Sequence, residues 1–224
     1  IIIILPSIIV LTVNSAKYFF ICWRIKPLAI VCWITISTFY DFKGVQHGIR
    51  AFKEIHSRFP NSVYNIVGFG PYEDNLISLS KKLGIYSHIK FVNNQKASDP
   101  RQVVIDTLKR TDLLIHGTTP HDGAREGTPV ILMEAQACGV PCISTNYAGI
   151  PEIVLDGKTG IILNSEDVKD IGRISVKLLD NKLQLESFSS NARKNILQNY
   201  NEEKQNKRLL DIYNGILGNI RWKL

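Results

Sequence analysis

Methionine is almost missing from this chain: of 224 residues only Met133 is one, and the first residue is isoleucine. We therefore expect a piece of a longer chain or a processed product. Cysteine is scarce too. Cys22, Cys32, Cys138 and Cys142 lack the second ligand pair that a zinc pattern requires, so no metal site is expected and the cysteines read as small buried apolar residues. Nothing in them demands an oxidising compartment. There is no block of basic residues. The 27 lysines and arginines are scattered, which argues against nucleic acid as partner, while the net charge of +7 suits smaller anions such as nucleotide phosphates or a phospholipid surface. A full-length apolar run is also lacking. The opening IIIILPSIIVLTV and the later YFFICW each fall short of the ~20 residues of a membrane span, and joined they make a poor span broken by Pro6 and Lys17. A buried strand or two is the preferred reading of residues 1–23, with contact at a membrane surface as the alternative. With no basic region ahead of the run and no clear cleavage site, a signal peptide is not expected. We expect a cytoplasmic protein, with peripheral association at the inner face of the cell membrane left open. No internal repeat or low-complexity linker is visible.

What is present is alternation. LAIVCWITIS (28–37) is a continuous β-branched apolar run, as in a strand buried on both faces. Val45, Ile49, Phe52, Ile55 and Phe59 keep helical spacing until Pro60. VYNIVG (63–68) reads as a strand, and Leu76, Leu79 and Leu83 mark a helix stopped by Gly84. HIKFV (88–92) and DLLIH (112–116) read as strands around a helix at 103–110. TPVILMEAQAC reads as a helix with Pro129 near its first turn, followed by the strands PCIST (141–145) and GIIL (160–163), with a short helix at 150–155 between them. From about residue 166 the pattern is helical. Strands and helices in this order predict an α/β fold, a doubly wound, Rossmann-like parallel sheet covered on both faces. Three segments follow: 1–27, an apolar N-terminal stretch; 28–180, the sheet domain; and 181–224, helices that pack back on it.

In such a sheet ligands lie beyond the carboxyl ends of the strands. That puts TFYDFKG, GFGP, HGTTPHDGAREGTP and TNYAGIPE on one rim. Within the third of these and the helix after it stand Glu126 and Glu134. Eight positions of helix rise about 12 Å, whereas glycosidase carboxyl pairs lie about 5–9.5 Å apart. The two carboxylates are poorly placed to share one bond and better placed to touch two ends of an extended ligand. The helix N-terminus between them suits a phosphate, and Gly127 permits close backbone approach.

The segment EGTPVILMEAQACGVPCISTNYAGIPEIVLDGKTGIIL (126–163) resembles the signature of retaining family-four (group 1) glycosyltransferases of the GT-B fold, especially those of exopolysaccharide or lipopolysaccharide assembly. The paired glutamates, Ala-Cys-Gly-Val-Pro, Gly-Ile-Pro-Glu and Asp-Gly-Lys-Thr-Gly stand in the family's order, and the likeness extends upstream through DLLIHGT, VGFGP and FKG, over roughly residues 35–200. The resemblance implies that residues 28–180 are the donor-binding, C-terminal half of a GT-B enzyme. The intact protein would transfer a sugar, with retention, from a nucleotide diphosphate donor to a glycan or lipid-linked acceptor, without cofactor or metal. It implies that Glu126 lies beside the transferred sugar and Glu134 binds the ribose. Gly127, Thr128, Pro129 and Val130 would present amides to sugar and phosphate, Lys43 would neutralise the leaving diphosphate, and Gly68, Gly70, Gly149, Ile150 and Pro151 would line the donor site. Glu152 stays open between a helix cap and a ligand contact. Lys43 and Glu126 are the catalytic candidates.

The chain departs from the family in three places. Thr38 stands where an arginine is usual, with Arg125 and Arg101 as candidates to compensate. His116-Gly117 stands where Leu-Pro is common. Residues 1–27 cannot supply the family's acceptor domain, so none of His47, His56, His88, His116 and His121 takes the role of its catalytic histidine. Two other classes remain: a nucleotide-sugar binding fragment or partner subunit without turnover, and a membrane-anchored structural subunit resting only on residues 1–23.

Overall fold

The computed structural model describes residues 31–121 and 127–218. The apolar runs of residues 1–23 lie outside them. Six strands form one sheet in the order β3-β2-β1-β4-β5-β6, and every pairing is parallel. They are β1 (Cys32–Thr38), β2 (Val63–Phe69), β3 (Ile89–Val92), β4 (Leu113–His116), β5 (Cys142–Thr145) and β6 (Gly160–Leu163). The connecting helices are α1 (Val45–Arg58), α2 (Glu73–Lys82), α3 (Pro100–Leu108), α4 (Val130–Ala137) and α5 (Ile150–Ile153), followed by α6 (Ile171–Asp180), α7 (Lys182–Asn199) and α8 (Glu202–Gly218).

Successive strand residues serve opposite layers, as the pleat requires. Trp33, Ile66, Leu113, Ile115 and Ile143 join Ile49, Phe52, Ile55, Ile171 and Leu178 of α1 and α6 in one cluster. Ile34, Val67, Leu114 and Cys142 join Leu108, Leu132, Met133, Ile150, Ile153 and Ile196 of α3, α4, α5 and α7 in the other. Each strand is thus apolar on both faces, which is why the runs read as continuous rather than alternating. The doubly wound α/β fold expected from the sequence is present.

One element begins elsewhere than its apolar spacing indicates. The third helix starts at Pro100 because Asp99 caps it, its carboxylate accepting from the amides of Arg101 at 3.0 Å and Gln102 at 2.9 Å. Pro129 is near the first turn of α4 as expected, being the residue just before it, in extended conformation.

The strand order reverses between β1 and β4. β1 is followed by a connection toward β2 on one side, and β4 by one toward β5 on the other, so their carboxyl ends open a crevice. Every described stretch of the sequence-predicted rim borders that crevice or its flanks.

Candidate donor site

The floor of the crevice is a backbone contact. After β1 the chain makes a 3-10 turn, Asp41–Lys43, and leaves it through Gly44 at φ 70°. A Cβ on Gly44 would stand 1.8 Å from the Gly117 carbonyl oxygen, so both the left-handed conformation and the contact require glycine here. The Thr119 amide donates to the Phe42 carbonyl at 3.0 Å. The loops after β1 and β4 are thereby fastened together, with Lys43 between them. Its ammonium lies 5.2 Å from the centre of the Phe42 ring, which stacks on Tyr40 at 5.9 Å and on His121 at 5.8 Å. This aromatic row was not foreseen: no spacing in the sequence links residue 42 to residue 121.

His116, at the end of β4, is buried and bonded to the Thr118 hydroxyl at 3.0 Å, while its carbonyl accepts from the Ser144 hydroxyl at 2.7 Å. The Thr145 hydroxyl donates to the Thr118 carbonyl. These bonds hold the β4 exit against β5. His47, in the first turn of α1, packs near Gly117. Burial lowers its pKa, Arg50 adds to that, and Asp41 opposes both.

On the β2 side, Gly68 has φ 146° and Gly70 φ 156°. A Cβ on Gly68 would stand 1.8 Å from the Ser37 carbonyl oxygen. The close fold of this loop over the end of β1 is therefore reason enough for Gly68. Gly70 lies against the Phe39 backbone, whose carbonyl accepts from the Tyr72 amide at 3.0 Å. Thr38 is exposed at the last position of β1, paired with Phe69.

On the β5 side, α4 points its N-terminus at the rim. Unlike α3 it has no side-chain cap among the described residues, so its first amides face outward with the partial positive charge of the helix end. Thr128 meets Gly149: a Cβ on that glycine would be 2.5 Å from the Thr128 hydroxyl oxygen. This contact brings Gly127–Val130 and Gly149–Pro151 into one wall. Pro129 and Ile150 are buried in it, whereas Gly127, Val130 and Pro151 are exposed. No described atom lies within 4 Å of where a Gly127 Cβ would stand. Glu152 is exposed, and its carbonyl accepts from the Tyr200 hydroxyl at 2.5 Å.

Glu134 sits one turn inside α4, half-buried, and its carboxylate faces Arg101 of α3 at 3.8 Å. Burial pushes its pKa up, and the guanidinium partly offsets this. Glu126 and Arg125 lie outside the described residues. Lys43, Gly68, Gly70, Gly127–Val130 and Gly149–Pro151 thus lie at the carboxyl ends of β1, β2, β4 and β5 or in the segments that follow them, and Glu134, one turn into α4, is met by Arg101 from a helix that periodicity placed but whose first turn it missed. No cluster of metal-ligating side chains occurs among the described residues. No described helix is long and apolar enough to cross a membrane.

Residues 32–195 match the family described as glycosyl transferases group 1. Among the similar proteins is the GDP-mannose-dependent alpha-(1-6)-phosphatidylinositol monomannoside mannosyltransferase of Mycolicibacterium smegmatis, 29% identical over 187 residues, which are 83% of this chain and 47% of that protein. Another is the N-acetyl-alpha-D-glucosaminyl L-malate synthase of Bacillus anthracis, 29% identical over 184 residues, 82% of this chain and 45% of that one. The chain thus spans about half the length of these curated relatives. The crystal structure of Anabaena HepE in complex with UDP and glucose superposes with a TM-score of 0.67 at 21% identity, over 83% of this chain and 48% of that one.

Proposed function

The chain belongs to the group 1 glycosyl transferases, and from that premise we propose that residues 32–195 bind the nucleotide diphosphate sugar from which the whole protein transfers a glycosyl group. The observation that carries this reading is the strand-order reversal, where Lys43 follows the end of β1 and the uncapped N-terminus of α4 lies on the connection that leaves the end of β4. A diphosphate between them meets an ammonium on one flank and helix amides on the other, and neither needs a metal ion as intermediary. Such donors stabilise the charge that grows on the diphosphate as the glycosidic bond breaks. Glu134, at the far side of the α4 N-terminus from the lysine, accepts hydrogen bonds from the ribose. Gly68 and Gly70 border the nucleotide, and Gly149, Ile150 and Pro151 border the sugar end, where the family resemblance also assigns Glu126.

The acceptor follows from the relatives' chemistry. One acts on a phosphatidylinositol mannoside, so we propose a lipid-linked or polysaccharide acceptor, with retention of the anomeric configuration at the transferred sugar. Work on such an acceptor would bring the protein to a membrane surface, to which the net charge of +7 is suited.

A thermal-denaturation panel tests the donor reading. UDP, GDP and ADP are each added at millimolar concentration. A ligand at 100 times its dissociation constant stabilises by about 2.7 kcal/mol, which for a chain of this size raises Tm by roughly 5–10 °C. At least one of the three is expected to do so. Unchanged melting with all three counts against a nucleotide site of any kind.

A further inference from the structure

The Arg101–Glu134 pair has features that structural support alone does not account for. It joins the first turn of α3 to the second turn of α4. Its separation of 3.8 Å is that of an ion pair and too long for a hydrogen bond, so it adds little to holding α3 against α4. The guanidinium engages Oε1, and no described residue binds Oε2. Arg101 is nevertheless fixed at its base, since the Asp99 carboxylate holds its amide at 3.0 Å.

Building on the donor reading of the crevice, we propose that Arg101 is a positioning residue of that site. It holds the Glu134 carboxylate through Oε1 and leaves Oε2 directed at the hydroxyls of a nucleotide ribose. The need for such a partner is physical. Burial raises the pKa of Glu134, and a protonated carboxyl at this place would lose one of its two acceptors. The elements packed on α4 bring other charges, Glu152 on α5 and Lys182, Glu186, Arg193 and Lys194 on α7, but Arg193 binds the Ala137 carbonyl at the opposite end of the helix. Among the described residues, Arg101 is the charge that acts on Glu134.

The sign is fixed by this arrangement. Without the guanidinium the Glu134 pKa rises further, so the ionised form, and the binding that depends on it, is lost at a higher pH. The probes are UDP-glucose and GDP-mannose, whose diphosphates carry a substituent at both ends and keep their charge from pH 4.5 to 8. Their affinities are measured by calorimetry for the unaltered chain, Arg101→Gln, Arg101→Lys, Glu134→Gln and the Arg101→Gln/Glu134→Gln double variant. For the probe that binds, Arg101→Gln is expected to lose least at pH 8, where Glu134 is ionised but no longer held, and roughly two- to fivefold more at the acid end, the whole acid limb moving up by roughly half a pH unit. Arg101→Lys keeps the original limb. Glu134→Gln binds weakly with no such limb, and in that background Arg101→Gln adds nothing. A loss equal at every pH, or one that persists in the Glu134→Gln background, overturns the proposal and makes Arg101 a direct ligand contact or mere scaffolding. Failure of the unaltered chain to bind either probe at any pH, together with no thermal shift from UDP, GDP or ADP, overturns the donor reading itself and this inference with it.

Discussion

Glu134 and Glu126 stand eight positions apart in the chain. Glu134 is inside α4, which begins at Val130, so Glu126 comes before that helix and its N-terminus in sequence. If that N-terminus holds the diphosphate, the residues on either side of it serve opposite ends of the ligand. The two substitutions should then fail differently. A hydrogen bond to a charged group contributes about 1.5–3 kcal/mol, so Glu134→Gln is expected to weaken nucleotide diphosphate and nucleotide sugar alike by tenfold or more. Glu126→Gln is expected to leave the bare nucleotide unaffected and to show its loss only with the intact donor. Calorimetric titration of both variants with both ligands decides the matter, and equal losses toward the bare nucleotide would refute the two-ended arrangement. At this scale the sequence was only partly legible. Lys43, Glu134 and the glycines announce themselves by motif, because their chemistry is local. The Arg101–Glu134 pair and the Tyr40–Phe42–His121 row do not, because residues distant in the chain meet only once the sheet is built.

At the scale of elements, α1 shows how closely the site's supports are packed. Gly48 is buried at the fourth position of that helix, where glycine costs up to about 1 kcal/mol relative to alanine. A Cβ there would stand 2.2 Å from the Tyr64 hydroxyl oxygen of β2, which is itself bonded to the Thr35 hydroxyl at 2.6 Å. The contact outweighs the propensity. Gly48→Ala is therefore expected to destabilise the chain by about 1–3 kcal/mol, as overpacking does. Tyr64→Phe removes the obstructing oxygen at a cost of about 1 kcal/mol, and the Thr35 hydroxyl keeps its bond to the Ile115 carbonyl at 2.9 Å. In the Tyr64→Phe background the alanine substitution is expected to cost much less. Chemical denaturation of the four species measures the coupling, and simple additivity would contradict the packing described. The helix itself was legible from its apolar spacing, because that spacing reports a buried face. The start of α3 was not legible by the same route. Its first turn is set by Asp99 and Pro100, a local capping signal three residues ahead of the apolar stripe, and that turn is what carries Arg101 to the rim.

At the scale of the molecule, order in the chain becomes position in space. Strands β1 and β4 are neighbours in the sheet though two strand–helix units separate them in sequence. That crossover places FKG beside HGTT and opens the crevice between them. The alternation of strands and helices made the doubly wound sheet legible, since both faces of a parallel sheet must be apolar. The location of the crevice follows from the general rule for such sheets rather than from any single residue. What the rule cannot supply is the geometry of its lining, such as the contact of Thr128 with Gly149 or of Gly44 with Gly117, because these are backbone approaches between loops. This chain matches about half the length of the curated relatives.

The central claim, that a nucleotide diphosphate lies in the crevice between the ends of β1 and β4, is tested most directly by mapping backbone amide resonances as the nucleotide that stabilises the chain is titrated in. The amides of Lys43, Gly44, Gly68, Gly70, Thr128, Val130 and Gly149 are expected to shift together and to saturate with one dissociation constant. Amides at the opposite end of the sheet, such as Val63 and Ile89, are expected to stay in place. Shifts confined to α6, α7 or α8, or a binding nucleotide that leaves Gly44 and Val130 unmoved, would contradict the account.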